Sequence, residues 1–253
     1  MLGKLLKYEI PALGRKLVPL FIAWAATAVM IGILVGPAQA KSSFMMILSV
    51  LIYIVVGTAI FVMTVIMIIQ RYKNSLLGDE AYFNMVLPVS ASAHIANKLI
   101  SALIWIILTA VTAFLTVLII TSFDQGFLDF NIDWKALFES LNAKTVVAGL
   151  EWILIILAGF TKTVMQIYTA ITIGHQAKQH VTLMSIGAYI GILIAEGLVS
   201  RLLLAVFPAM FRTSVNSFED AGIILLPALA TVLIFSAVYF FICKFLMEKK
   251  LNL

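Results

Sequence analysis

Four polar side chains share one face of an otherwise apolar stretch between residues 146 and 173. At about 100° per residue in a helix, they fall within roughly 60° of one another; they are Glu151, Lys162, Gln166 and Thr169. Ionisable groups in such a stretch are expensive to expose to an apolar medium, so this face should point into the protein or a wet cavity. It indicates either a polar path for a substrate or an internal ion pair or subunit contact.

The sequence signatures of several enzyme chemistries are absent. The sequence contains no G-x-x-x-x-G-K-[ST] phosphate loop, no H-E-x-x-H spacing and no G-x-S-x-G elbow. We assign the three histidines, His94, His175 and His180, to loops as solvated residues, too few for a metal site. The one cysteine, Cys243, excludes an internal disulfide and is interpreted as a small buried hydrophobe. We predict no catalytic residue, no metal site and no cofactor in this chain.

The composition limits the elements that position these residues. Of 253 residues, 63% are hydrophobic and 11% are charged, against about 25% charged in an ordinary soluble domain. The mean hydropathy is +1.11. These values exclude soluble globular, disordered and disulfide-stapled classes and indicate a polytopic membrane protein. The net charge of +5 is more typical of basic cytoplasmic loops than of nucleic-acid binding.

Six apolar runs are long enough to cross a bilayer, for which about 20 residues are needed. They are Leu17–Val35, Met45–Ile69, Leu99–Ile120, Val146–Ile173, Val181–Ala205 and Ile223–Phe245. We therefore predict an all-α fold of six transmembrane helices in a single domain, 1–253. With the N-terminus inside, eleven basic residues fall in inner segments and five in outer ones. This asymmetry predicts that both termini are cytoplasmic.

Lys162 and Glu196 are expected to form an ion pair between the fourth and fifth spans. At about 1.5 Å per residue they lie roughly 16 and 22 Å from the inner ends of their spans. The difference is within reach of a lysine side chain, and an unpaired charge at this depth would be costly. On the fifth span, Gly187, Gly191 and Ala195 form a small-residue face typical of close helix contacts. We interpret that face as a candidate contact with a second subunit.

Several segments flanking the spans carry their own patterns. Residues 1–16 form an amphipathic interfacial segment, for which we expect a kink at Pro11. The outer loop 121–145 contains a short amphipathic helix with Trp134, Leu137, Phe138 and Leu141 on one face. The outer segment 202–222 is a candidate re-entrant element.

The inner segment 70–98 is too long and too apolar for a plain turn. Asp79 and Glu80 follow Gly78, which suits a helix start, since the helix dipole favours negative charge there. A helix from Ala81 to Leu87 would be stopped by Pro88. Such a helix on the cytoplasmic face would either dock another protein or lie on the membrane surface without a partner.

This segment resembles the permease subunits of bacterial two-component ATP-binding-cassette exporters, as do three other stretches. They are the opening Met1-Leu2-Gly3-Lys4-Leu5-Leu6-Lys7-Tyr8-Glu9, the Pro88-Val89-Ser90 triplet with Lys98 beyond it, and the stretch from Ile173-Gly174-His175 to His180. The likeness covers the whole chain. It implies a type V exporter fold, and a homodimer or pseudo-dimer with two copies of a separate ATPase, which would carry the ATP and Mg²⁺.

The resemblance also implies roles for particular residues. The segment from Leu77 to Leu87 would be the coupling helix seated in the ATPase, and residues 175–180 would form a second, smaller contact. The implied coupling residues are Leu77, Gly78, Asp79, Glu80, Ala81, Tyr82, Phe83, His175 and Lys178.

Three functions remain open from the sequence. The leading hypothesis is the membrane half of an ATP-driven exporter in a bacterial cytoplasmic membrane, with amphipathic peptides favoured over lipids and hydrophobic drugs. The alternative is an ion-coupled secondary transporter or channel in which Lys162 and Glu196 carry protons or ions. A third reading is a membrane scaffold or immunity protein.

Overall fold

The computed structural model describes residues 2–35, 43–78, 89–123, 143–177, 179–207 and 222–249. These residues form six long α-helices. The helices are α1 (Leu2–Val35), α2 (Ser43–Leu76), α3 (Ala91–Phe123), α4 (Ala143–Gly174), α5 (Val181–Val206) and α6 (Gly222–Lys249). All six are long and apolar enough to cross a membrane, and the described residues include no strand. The prediction of an all-α chain with six such helices is confirmed.

Helices suit these sequences because a bilayer offers no hydrogen-bond partners, so each span must satisfy its own backbone. The helices extend beyond the apolar runs that predicted them. The residues predicted as a separate interfacial segment belong to α1, which continues through Pro11 and Pro19. Likewise, α2 extends to Leu76 and α3 begins at Ala91, so the connection between them is shorter than the predicted 70–98 loop.

Three predicted elements lie wholly or mostly outside the described residues. They are the coupling helix, of which Leu77 and Gly78 are described and 79–88 are not, the outer-loop helix around Trp134, and most of the candidate re-entrant segment. At the start of that last segment, Leu202 to Val206 continue α5 as regular helix.

The chain divides into two compact units. The first comprises Met1–Arg71 and Ile100–Ile132, and the second comprises Tyr72–Leu99 and Asp133–Leu253. In the first unit, Leu13 and Leu17 of α1 pack against Trp105 of α3. There, the Tyr53 hydroxyl lies 2.8 Å from the Thr116 hydroxyl. Aromatic and hydroxyl side chains thus join α1, α2 and α3 within this unit.

In the second unit, α4 packs against both α5 and α6. Near the C-terminal end of α4, the rings of Tyr72 and Tyr168 stack with their centroids 3.8 Å apart. The Tyr72 hydroxyl lies 2.8 Å from the Thr172 hydroxyl and 3.0 Å from Cys243 Sγ. Cys243 is fully buried, as predicted, and it also takes part in this polar network.

Candidate intramembrane site

The second unit contains a charged cluster in its apolar interior. Lys162 Nζ of α4 donates a hydrogen bond to Glu196 Oε1 of α5, and the two side chains form an ion pair. The hydroxyl of Tyr239 on α6 donates to the other carboxylate oxygen, Glu196 Oε2, at 2.9 Å. One carboxylate is therefore held from two sides, and through it three helices are connected. The expected pairing of Lys162 with Glu196 is observed.

The cluster is only partly closed. The side chains of Lys162 and Glu196 are 21% and 15% exposed. A charge pair in an apolar region is stable only where each ion keeps a partner, because desolvation of an unpaired ion is costly. The arrangement therefore keeps both charges compensated while leaving an edge of the pair accessible.

The polar face of α4 continues from the ion pair toward the end of the helix. Gln166 lies one turn beyond Lys162 and is 2% exposed. Within the described part of the chain, its Nε2 has no hydrogen-bond partner. Thr169 is fully buried, and its hydroxyl lies 3.1 Å from the Tyr239 carbonyl oxygen, to which it donates. Glu151, near the start of α4, is half-buried.

The predicted small-residue face of α5 is exposed in the second unit. Its members Gly187, Gly191 and Ala195 are all exposed. Among the described residues, no atom lies within 4 Å of a Cβ added at either glycine. The half-buried positions of α5, which include Ser185, fall on a different side of the helix, together with Glu196. The two sides of α5 therefore face different surroundings, as the spacing predicted.

Only three of the residues predicted to contact an ATPase lie within the described part of the chain. Leu77 and Gly78 lie in the turn after α2, and both are half-buried. His175 lies in the turn after α4, where its Nδ1 is 2.9 Å from the Ile171 carbonyl oxygen. The remaining coupling residues, Asp79, Glu80, Ala81, Tyr82, Phe83 and Lys178, lie outside the described residues.

One prediction about the histidines is wrong. His94 lies inside α3 and is 3% exposed, rather than solvated in a loop. The reason is that α3 begins eight residues before the apolar run that predicted it, so His94 lies on a helix and on its buried side. His180 is exposed and adopts a left-handed backbone with φ 56° immediately before α5.

Sequence reasoning missed a cluster of three buried polar residues in the first turns of α3. His94, Asn97 and Lys98 are all at most 5% exposed. Among the described residues, His94 Nε2 and Asn97 Oδ1 lack hydrogen-bond partners. The Tyr168 hydroxyl donates to the Lys98 carbonyl oxygen at 3.3 Å. The i, i+3, i+4 spacing of three polar residues was the available signal.

A second missed contact lies in the first unit. Arg71 Nε donates to Glu9 Oε1 at 2.9 Å, and a terminal guanidinium nitrogen of Arg71 donates to Glu9 Oε2 at 3.3 Å. Glu9 is 5% exposed. This forked geometry is the strong form of a charge-assisted pair. It connects the start of α1 with the end of α2, which precedes the predicted coupling segment.

Comparisons with protein families, curated proteins and solved structures find no match to this chain.

Proposed function

We propose that this chain is the membrane-spanning permease subunit of an ATP-driven exporter in a bacterial cytoplasmic membrane. The observation that carries the proposal is that the chain has six described helices, each long enough to cross the membrane once. Consecutive helices would then cross in alternating directions. With single crossings, both termini, the α2–α3 connection and the α4–α5 connection share one side of the membrane. The basic residues favour the cytoplasm for that side.

This alternation gives the two predicted ATPase contacts a common face. The α2–α3 connection contains the segment predicted as a coupling helix, and the α4–α5 connection contains His175 and Lys178. An ATPase bound from the cytoplasm would reach both connections at once. Hydrolysis on that subunit would then move the helices that end there.

We propose an amphipathic peptide as the substrate and a second permease protomer as a partner. The exposed Gly187–Gly191 face of α5 permits close approach by another helix, because no atom of the described residues fills the space above either glycine. Two protomers would enclose a route wide enough for a peptide. The polar face of α4, with Lys162 and Gln166, supplies hydrogen-bonding groups in an otherwise apolar wall.

Copurification with an ATP-binding-cassette subunit from the same cell tests the proposed partner. We expect a tagged permease to retain that ATPase through detergent extraction. Replacing Gly78–Tyr82 by a flexible linker of equal length should abolish retention or uncouple ATP hydrolysis from substrate. The matched control is the same replacement over 124–128, on the opposite side of the membrane. Unchanged coupling in the Gly78–Tyr82 variant would reject the assignment.

The ion pair favours one alternative function, an ion-coupled secondary transporter. Glu196 with Lys162 and Tyr239 has the composition of a proton-exchanging site within a membrane. In that case, transport would follow an imposed proton or ion gradient in the absence of any ATPase, and Glu196→Gln would abolish it.

A further inference from the structure

We infer that Glu196 is a binding site for a cationic group of the transported peptide, and that Lys162 occupies this site at rest. The inference rests on the proposed export of amphipathic peptides and names the contact that would recognise them. A lysine or arginine side chain of the peptide would replace the Lys162 ammonium on Glu196 Oε1. The Tyr239 hydroxyl would keep its hydrogen bond to Glu196 Oε2 throughout.

The first argument is the chemistry around the carboxylate. Glu196 Oε2 is occupied by a neutral hydroxyl donor, whereas Oε1 is occupied by a cation on a long flexible stem. Lysine is a compact point charge with rotatable donors, so it is exchanged for another cation more readily than a forked arginine would be. The exposed fractions of 21% and 15% leave Lys162 and Glu196 partly accessible. A lysine released from Glu196 can therefore keep its ammonium group solvated.

The second argument is the unpartnered amide of Gln166. This side chain is 2% exposed, and within the described residues its Nε2 donates to nothing. A buried donor without an acceptor is destabilising, so the position gains from any ligand that brings one. Gln166 lies roughly 6 Å along the helix axis from Lys162. A basic residue of a peptide supplies a cation for Glu196 and a backbone carbonyl for Gln166.

The third argument is the weak attachment of α5. No residue of this helix is buried, although α4 beside it buries several, including Val164 and Met165. Elements with few buried contacts are the ones that shift at low cost. The helix that carries Glu196 is therefore the one best able to move aside when a ligand enters.

Peptide binding to the purified permease in nanodiscs tests the inference without nucleotide or ATPase. The probe is a fluorescent amphipathic peptide of leucine and lysine, and its matched control has glutamine in place of lysine. The lipid is phosphatidylcholine alone, because anionic lipids attract basic peptides to the surface. Empty nanodiscs give the background from lipid partitioning.

Competition predicts opposite effects from the two members of the pair. We expect Glu196→Gln to weaken binding of the basic peptide by about tenfold, because it removes the carboxylate that binds the cation. Lys162→Met should strengthen binding by about tenfold, because it removes the competing ammonium group. The neutral peptide should respond to neither variant. Gln166→Met should weaken both peptides alike, because both carry backbone carbonyls.

The matched controls use a different charged pair, Lys244 and Glu248, which lies within α6. Lys244 and Glu248 lie 4.0 Å apart and are more exposed, so Lys244→Met and Glu248→Gln should leave binding unchanged. If Lys162→Met fails to fold, Lys162→Gln keeps a hydrogen bond to Glu196 without the competing charge and should still strengthen binding.

Three results would overturn the inference. They are equal weakening by Lys162→Met and Glu196→Gln, the same response from the neutral peptide, and wild-type binding no greater than in empty nanodiscs. None of these results bears on retention of the ATPase, so failure of this inference and failure of the proposed function are distinguishable.

Discussion

Glu196 connects three helices of the second unit, because its carboxylate accepts hydrogen bonds from two other helices. Lys162 supplies the compensating charge and Tyr239 supplies a neutral donor. With either contact alone, one carboxylate oxygen would remain without a hydrogen-bond partner in an apolar region, which is costly. The residue is thus both a structural tie and an accessible anionic group.

A mutant cycle on Lys162 and Glu196 measures the strength of this tie. We expect Lys162→Met or Glu196→Met alone to cost about 2 kcal/mol, somewhat below the range for a fully buried pair because this one is partly exposed. The double variant should cost less than either single variant, because it leaves no unpaired ion. Equilibrium unfolding in mixed detergent micelles gives the three values. Additive losses would show that the two residues act independently.

The sequence could predict the ion pair but not its third member. The depth of Lys162 and Glu196 follows from a constant helical rise along two adjacent spans. The register of α6 against α5 has no such simple basis, since a long connection separates them. Tyr239 therefore looked like one more aromatic residue in an apolar run. Glu9 and Arg71 were missed for a different reason, because both were assigned to segments outside the spans, whereas α1 and α2 extend through them.

At the scale of the elements, α4 and α5 approach most closely where they join. A Cβ at Gly174 would lie 2.7 Å from both the Cα and the backbone nitrogen of Ser185. Only glycine fits such an approach without moving backbone. The six-residue connection from His175 to His180 then returns the chain along α4, so this junction determines where α5 begins.

Replacing Gly174 by alanine should therefore disturb the start of α5. We expect a loss of about 1–3 kcal/mol, the usual cost of overpacking where backbone must shift. Equilibrium unfolding of the purified protein gives the value. Gly159→Ala is the matched control on α4, because no atom of the described residues lies within 4 Å of a methyl group added there. Equal stability of both variants would contradict the close contact.

The sequence predicted each helix by its apolar run but not the full length of the helices. Hydropathy locates the part of a helix that crosses lipid, whereas hydrogen bonding continues into the polar flanks. His94 and Asn97 show the consequence, because they precede the apolar run and were assigned to a loop. The helix around them begins at Ala91, and they are buried in it.

At the scale of the whole molecule, the proposed dimer predicts that the α5 glycines affect association of the protomers without affecting the stability of each protomer. Gly187→Leu combined with Gly191→Leu should abolish crosslinking between protomers in membranes, since leucine side chains would block close helix approach. The stability of each protomer should remain unchanged, because no atom of the described residues lies within 4 Å of a Cβ at either position. Gly149→Leu, at an open glycine of α4, is the matched control. Persistent crosslinking in the double variant would reject this face as the interface.

The central claim is that ATP hydrolysis by a separate subunit drives peptide movement through this chain. The most direct measurement is uptake of a labelled basic amphipathic peptide into proteoliposomes that contain the permease and the ATPase, with ATP outside. We expect uptake with ATP, no uptake with a non-hydrolysable analogue, and no uptake by the permease alone under an imposed proton gradient. Uptake by the permease alone, driven by that gradient, would contradict the central claim.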